Sequence, residues 1–177
     1  VSAARAKPIS RSSVAKAAAA RSRRGKSKPA GTLRILETRI YRGPNYWSYE
    51  PAIKLIVDLG VLEDFPSNTI PGFVDGLLAR LPEVGKHSCS TGKAGGFEQR
   101  LREGTWAGHV AEHISLQLQR DAGTEVGRGK TRSTGEPGRY HVVYSYAEES
   151  VGVAAGRLAV RLVNHLVEPD PDFDFDT

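Results

Sequence analysis

Hydrophobic and polar positions change their spacing several times between residues 33 and 167, and each spacing predicts an element. LRILETRIY (33–41) alternates apolar and polar side chains, as a half-buried strand does. RGPNYWS (42–48) interrupts the alternation with Gly43 and Pro44. AIKLIVDLG (52–60) resumes it with Ile53, Leu55 and Val57 on one face, so the two strands are expected to pair antiparallel. A loop at 66–71 leads into a helix over 72–81, where Phe73, Leu77 and Leu78 form an apolar stripe. VGKHSCS (84–90) alternates like an edge strand, and TGKAGGF (91–97) turns the chain after it. A long helical region follows over 97–120, broken near Gly104, with Thr105 placed to cap a new start and Val110, Ile114, Leu116 and Leu118 packed inward. Residues 122–140 read as a long loop rich in glycine and cations. YHVVYSY (140–146) is the clearest strand, and 147–167 forms a helix with Val151, Ala155, Leu158, Leu162 and Leu166 inward. The expected fold is α+β, a mixed and mainly antiparallel sheet of about four strands with packed helices in the order β-β-α-β-α-β-α.

Charge divides the chain more sharply than hydropathy does. Nine of the 25 Lys and Arg lie in residues 1–30, which hold no acid, so 16 bases face 20 acids in residues 31–177. That body is therefore about −4 although the whole chain is +5. The expectation is a basic disordered tail (1–30), one folded domain (31–167) and an acidic, frayed end (168–177). The pI near 9.5 belongs to the tail, which would touch nucleic acid only weakly. A single cysteine, Cys89, allows no intrachain disulfide and suits a reducing cytoplasm. No apolar run approaches the ~20 residues of a membrane span.

The candidate chemistry lies in the long helical region. His109, Glu112 and His113 form H-x-x-E-H, and on a helix the two histidines, four apart, share a face and can grip one metal ion. This is the inverted zinc-hydrolase pattern, with Glu112 as general base toward a metal-bound water. The same residues also suit a helix whose histidines are hydrogen-bonded at the edge of the core. A third ligand is needed, and the pattern places it on a later helix. Glu149 is then the first candidate and Glu148 the second, with His87 and Cys89 as alternatives. If Cys89 joined the histidines, a closed structural site would become the competing reading. The glycines at 92, 95 and 96 match no Walker pattern, so no ATP site is expected.

Several segments taken together, RGPNYWS (42–48), IPGF (70–73), HSCSTGKAGGF (87–97), REGTWAGHVAEHISLQLQ (102–119), AGTEVGRGKTR (122–132) and PGRYHVVYSYAEE (137–149), resemble the amino-terminal domain of cyanophycin synthetase. The resemblance runs from about residue 33 to 167, in the family's order and near its spacing. It implies a module that holds an aspartate/arginine polymer, cyanophycin, for an ATP-grasp and a Mur-ligase-like domain, neither of which lies in these 177 residues. In some members the module also cuts the polymer at a metal site, which makes zinc the expected ion and metal-dependent amidohydrolysis the alternative activity. A purely structural domain docking to ligase domains is the third reading. Arg42, Asn45, Trp47, Arg128, Lys130 and Arg132 are the expected polymer-binding residues, the cations meeting carboxylates. The family's glycine loop more often reads V-G-F-G-R-T-R, so Arg128 and Lys130 stand where an aromatic and an arginine are usual.

Overall fold

A computed structural model describes residues 33–175; the expected basic tail lies outside the described residues. Four strands form one sheet in the order β1-β2-β4-β3, where β1 is Arg34–Tyr41, β2 Ala52–Asp58, β3 Gly129–Ser133 and β4 Arg139–Ser145. Every ladder in it is antiparallel. Five α-helices accompany it: α1 (Phe73–Arg80), α2 (Pro82–Gly85), α3 (Gly96–Glu103), α4 (Ala107–Asp121) and α5 (Glu149–Val167). The α+β class and the count of four strands are as expected, and the sheet expected to be mixed and mainly antiparallel is antiparallel throughout. The third strand, however, does not lie at 84–90. Those residues form the short α2 and a 3-10 turn at Cys89–Thr91, because Pro82 starts a helical turn that binds its own carbonyls instead of a neighbouring strand. The strand comes instead from the cationic loop, where Gly129–Ser133 pairs with β4.

Helices α4 and α5 cover one face of the sheet and pack against each other. Ile53, Leu55 and Val57 of β2 and Val142 and Tyr144 of β4 are buried on that face. The Tyr144 hydroxyl reaches past α5's first turn to donate to Gly152 O at 3.0 Å. Directly opposed residues share a face in an antiparallel ladder, so the register puts Lys54, Val143 and Lys130 on the other side, with Ile56, His141 and Arg132 beside them.

Gly104 (φ 111°) separates α3 from α4. Trp106 occupies the N-cap position of α4 without a side-chain cap bond, so the Thr105 cap is not formed. The hydroxyl of Thr105 is committed elsewhere, to His109. Beyond α5, Phe173 is buried, with the Arg161 guanidinium 4.8 Å from its ring centroid. Among the described residues, no helix is long and apolar enough to cross a membrane.

Candidate metal centre

The first turns of α4 bring their histidines up against the turn that follows α2. Cys89 Sγ and the ring nitrogens of His109 and His113 lie within 4.8 Å of one another, close enough for one ion. His113 Nε2 is 3.2 Å from His109 Nε2, and Cys89 Sγ is 3.5 Å from the same His109 nitrogen. The other ring nitrogens are engaged from behind. His109 Nδ1 meets Thr105 Oγ1 at 2.8 Å, and His113 Nδ1 meets His87 Nδ1 at 2.9 Å. His87 continues the chain through Nε2 to Gln117 Oε1 at 2.8 Å, with Arg120 Nη1 at 3.2 Å. If His87 Nε2–H donates to Gln117, His87 Nδ1 accepts from His113 and leaves the His113 Nε2 lone pair facing Cys89 and His109. Supporting bonds of this kind fix the tautomer and orientation of metal-ligating imidazoles.

The backbone that carries these groups is itself pinned. Ser67 N donates to Thr105 O at 2.7 Å and Thr105 N to Ser67 Oγ at 2.9 Å, which holds Thr105 under His109. Phe97 stacks on His113 with ring centroids 3.8 Å apart and presents its ring edge-on to His109. Cys89 sits at φ 49°, in the left-handed region, the one non-glycine among the described residues to do so. That costs of order 1 kcal/mol, which the surrounding contacts must offset to aim the thiol at the histidines.

Burial governs the charges. It lowers the pKa of His109 to about 4, with the Arg100 charge adding to the effect, and holds His113 lower still. His87 is lowered too, again chiefly by burial. Three neutral imidazoles therefore meet at neutral pH, the protonation state a metal requires. Burial raises Glu112 to about 7, against the opposing hydrogen bond from Thr131. Its carboxylate does not join the three ligand atoms. Thr131 Oγ1 of β3 donates to Glu112 Oε2 at 2.6 Å, and the carboxylate lies so close over Gly129 that a Cβ there would collide with it. All these groups open into one cleft of about 940 Å³, which Arg100 and Arg120 also line and which β3 walls, the side chains of Lys130 and Arg132 lying on the outer side of that wall.

The structure brings His109, His113 and Cys89 together, with His87 behind them, and does not bring Glu149 to them. The Glu149 carboxylate instead takes a bidentate pair from Arg42, at 2.7 and 2.8 Å, which holds it below the usual carboxylate range. Glu148 lies with Glu149 in a separate depression. Asn45 serves its own loop, its Oδ1 accepting from Trp47 N and Ser48 N at 2.8 and 3.1 Å. Trp47, Arg128 and Lys130 do meet, around a depression of about 350 Å³ on the outer face of the sheet. Arg128 is paired there with Glu50 at 3.4 Å, and Trp47 packs on His141. Sequence reasoning missed Thr105, Phe97, Gln117, Arg120 and Thr131, the residues that support the cluster and Glu112.

Comparison with known proteins gives this geometry its relatives. Residues 54–168 match the model of the cyanophycin synthase-like N-terminal domain. The chain is 51% identical over 139 residues to the cyanophycin synthetase of Synechocystis sp., 50% over 139 to that of Crocosphaera subtropica and 48% over 137 to that of Geminocystis herdmanii. Each match covers 76 or 77% of this chain but only 16% of the relative. The matched segment runs from within β2 through α5 and includes every residue of the Cys/His cluster, so the chain belongs to the cyanophycin synthase-like N-terminal domain family.

Proposed function

We propose that the folded body holds an aspartate/arginine polymer in the cationic cleft and carries there a divalent ion, by preference zinc, on Cys89, His109 and His113. The observation that carries this is the convergence of a thiol and two buried neutral imidazoles inside a cleft lined by Arg100 and Arg120, whose β3 wall carries Lys130 and Arg132 on its outer side. A Cys/His/His set supplies three ligands, one fewer than a closed tetrahedral site, and it faces a cleft instead of the core. Zinc on such ligands would supply a bound water of lowered pKa. Glu112, with a pKa of about 7 and steadied by Thr131, is suited to take a proton near neutral pH. The arginines suit the polymer's carboxylates.

Service to ligase domains, with this domain as the holding module, is the reading that the relatives' name supports. Cleavage of the polymer is the second, favoured by the placement of Glu112 in the same cleft. Metal analysis and a polymer-cleavage assay test it. Glu112→Gln is expected to keep the metal and lose about 10²- to 10⁴-fold in cleavage, and His113→Ala to lose both. Wild-type protein that binds polymer but takes up no added zinc would end the hydrolytic reading and leave a holding module.

A further inference from the structure

Strand β3 is at the edge of the sheet, paired with β4 on one side only. The phase of its hydrogen bonding is fixed by two bonds at its ends. Ser145 N donates to Arg128 O at 2.8 Å, and Thr134 N donates to Arg139 O at 3.1 Å. Lys130 opposes Val143 and Arg132 opposes His141, so Arg128, Lys130, Arg132 and Thr134 turn their main-chain groups toward β4. Gly129, Thr131 and Ser133 must then turn N–H and C=O toward the open edge. All five residues of β3 line the cleft that contains the Cys/His cluster. The cleft therefore has a wall of unpaired amide groups beside Glu112.

The side chains decide what can add to this edge. Lys130 and Arg132 flank it, and among the described residues neither has an ion-pair partner, unlike Arg128 and Arg139, which are paired with Glu50 and Glu136. A second copy of β3 would set the same cations against each other, the arrangement by which natural edges resist self-pairing. A chain bearing carboxylates would be attracted instead. We propose that the open edge of β3 binds an extended, carboxylate-bearing polyamide by strand addition, its main chain bonded to Gly129, Thr131 and Ser133. Alternate side chains of the added strand then lie beside Lys130 and Arg132, and the remaining ones face the cleft. This deepens the polymer reading and rests on it.

Amide hydrogen exchange of the full chain, with and without the aspartate/arginine polymer, tests the proposal. The amides of Gly129, Thr131 and Ser133 are expected to exchange rapidly in the unliganded protein and at least tenfold more slowly at saturation. Those of Lys130 and Arg132, already bonded to β4, are expected to be protected in both states. Ser133→Pro removes an outward N–H, together with the hydroxyl that accepts an exposed bond from Gly135 N, and leaves the β4 ladder intact, as edge strands tolerate. It is expected to keep the melting temperature and bind polymer about tenfold more weakly. Polymer binding that leaves the three amides exchanging freely, or that Ser133→Pro does not weaken, overturns strand addition while the polymer reading stands. Failure of the wild-type chain to bind polymer overturns both.

Discussion

The two histidine Nε2 atoms, 3.2 Å apart, are held together by residues that bond their far sides, and burial suppresses the protons that would otherwise compete for them. Cys89 completes the group at the expense of a left-handed backbone, which makes it the third ligand of the proposed site. Cys89→Ser is expected to weaken zinc binding at least tenfold in a chelator-competition titration. Glu149→Ala, which removes an exposed ion pair with Arg42 and a hydrogen bond with Tyr146, both away from the cluster, should leave zinc binding unchanged. Glu112 gives a separate readout in metal-free protein. Its folded pKa, about 7, lies above the ordinary carboxylate value of 4.5, so the folded state keeps its proton longer and Glu112 costs stability as pH rises between the two. His109 and His113, with lowered values, work in the opposite direction, so the wild-type profile alone mixes both effects. The difference between wild type and Glu112→Gln isolates the carboxylate. Denaturant titrations should show the variant gaining on wild type from pH 5 to pH 8, and a constant difference would contradict the burial account.

At the scale of elements, α4 carries more of the site than its H-x-x-E-H motif alone. Thr105, His109, His113, Gln117 and Asp121 recur every four residues along it and its entry, and each takes part in the bonded chain, Gln117 Nε2 donating to Asp121 Oδ1 at 2.7 Å. Of that stripe the sequence made legible only the histidine pair sharing a face; Thr105, Gln117 and the bonding did not show, because His87 closes the chain from a distant segment. The same limit explains the misplaced strand. Alternation in 84–90 is real, yet the segment closes local helical turns after Pro82 and pairs with no strand, whereas Gly129–Ser133 has little apolar content and becomes a strand through its ladder to β4. The close seat of α5 on the sheet gives a test. A Cβ at Gly156 would collide with the Tyr144 hydroxyl. Gly156→Ala should cost about 1–3 kcal/mol by overpacking, and Tyr144→Phe should relieve part of that loss, as a double-mutant cycle would show.

Across the whole molecule, charge is sorted by position. Nine cations without an acid occupy residues 1–30, while residues 31–177 are about −4, yet the cleft collects arginines and lysines within that acidic body. Long-range attraction between the chain and any polyanion is therefore dominated by the first 30 residues, and it fades beyond a Debye length of about 8 Å at physiological salt. The polymer recognition proposed for the cleft would depend on short contacts to particular carboxylates, which salt screens less. The two contributions separate on truncation. Removing residues 1–30 should reduce binding to DNA at low salt by at least tenfold, and should change the affinity for the aspartate/arginine polymer at 0.15 M salt by no more than about threefold. Polymer binding of the truncated chain should still fall with added salt, since its contacts are ionic, but with a shallower slope than the full chain shows. Parallel titrations of both ligands over a salt series measure this directly. Complete loss of polymer binding on truncation would assign recognition to the basic segment and remove the cleft from the account.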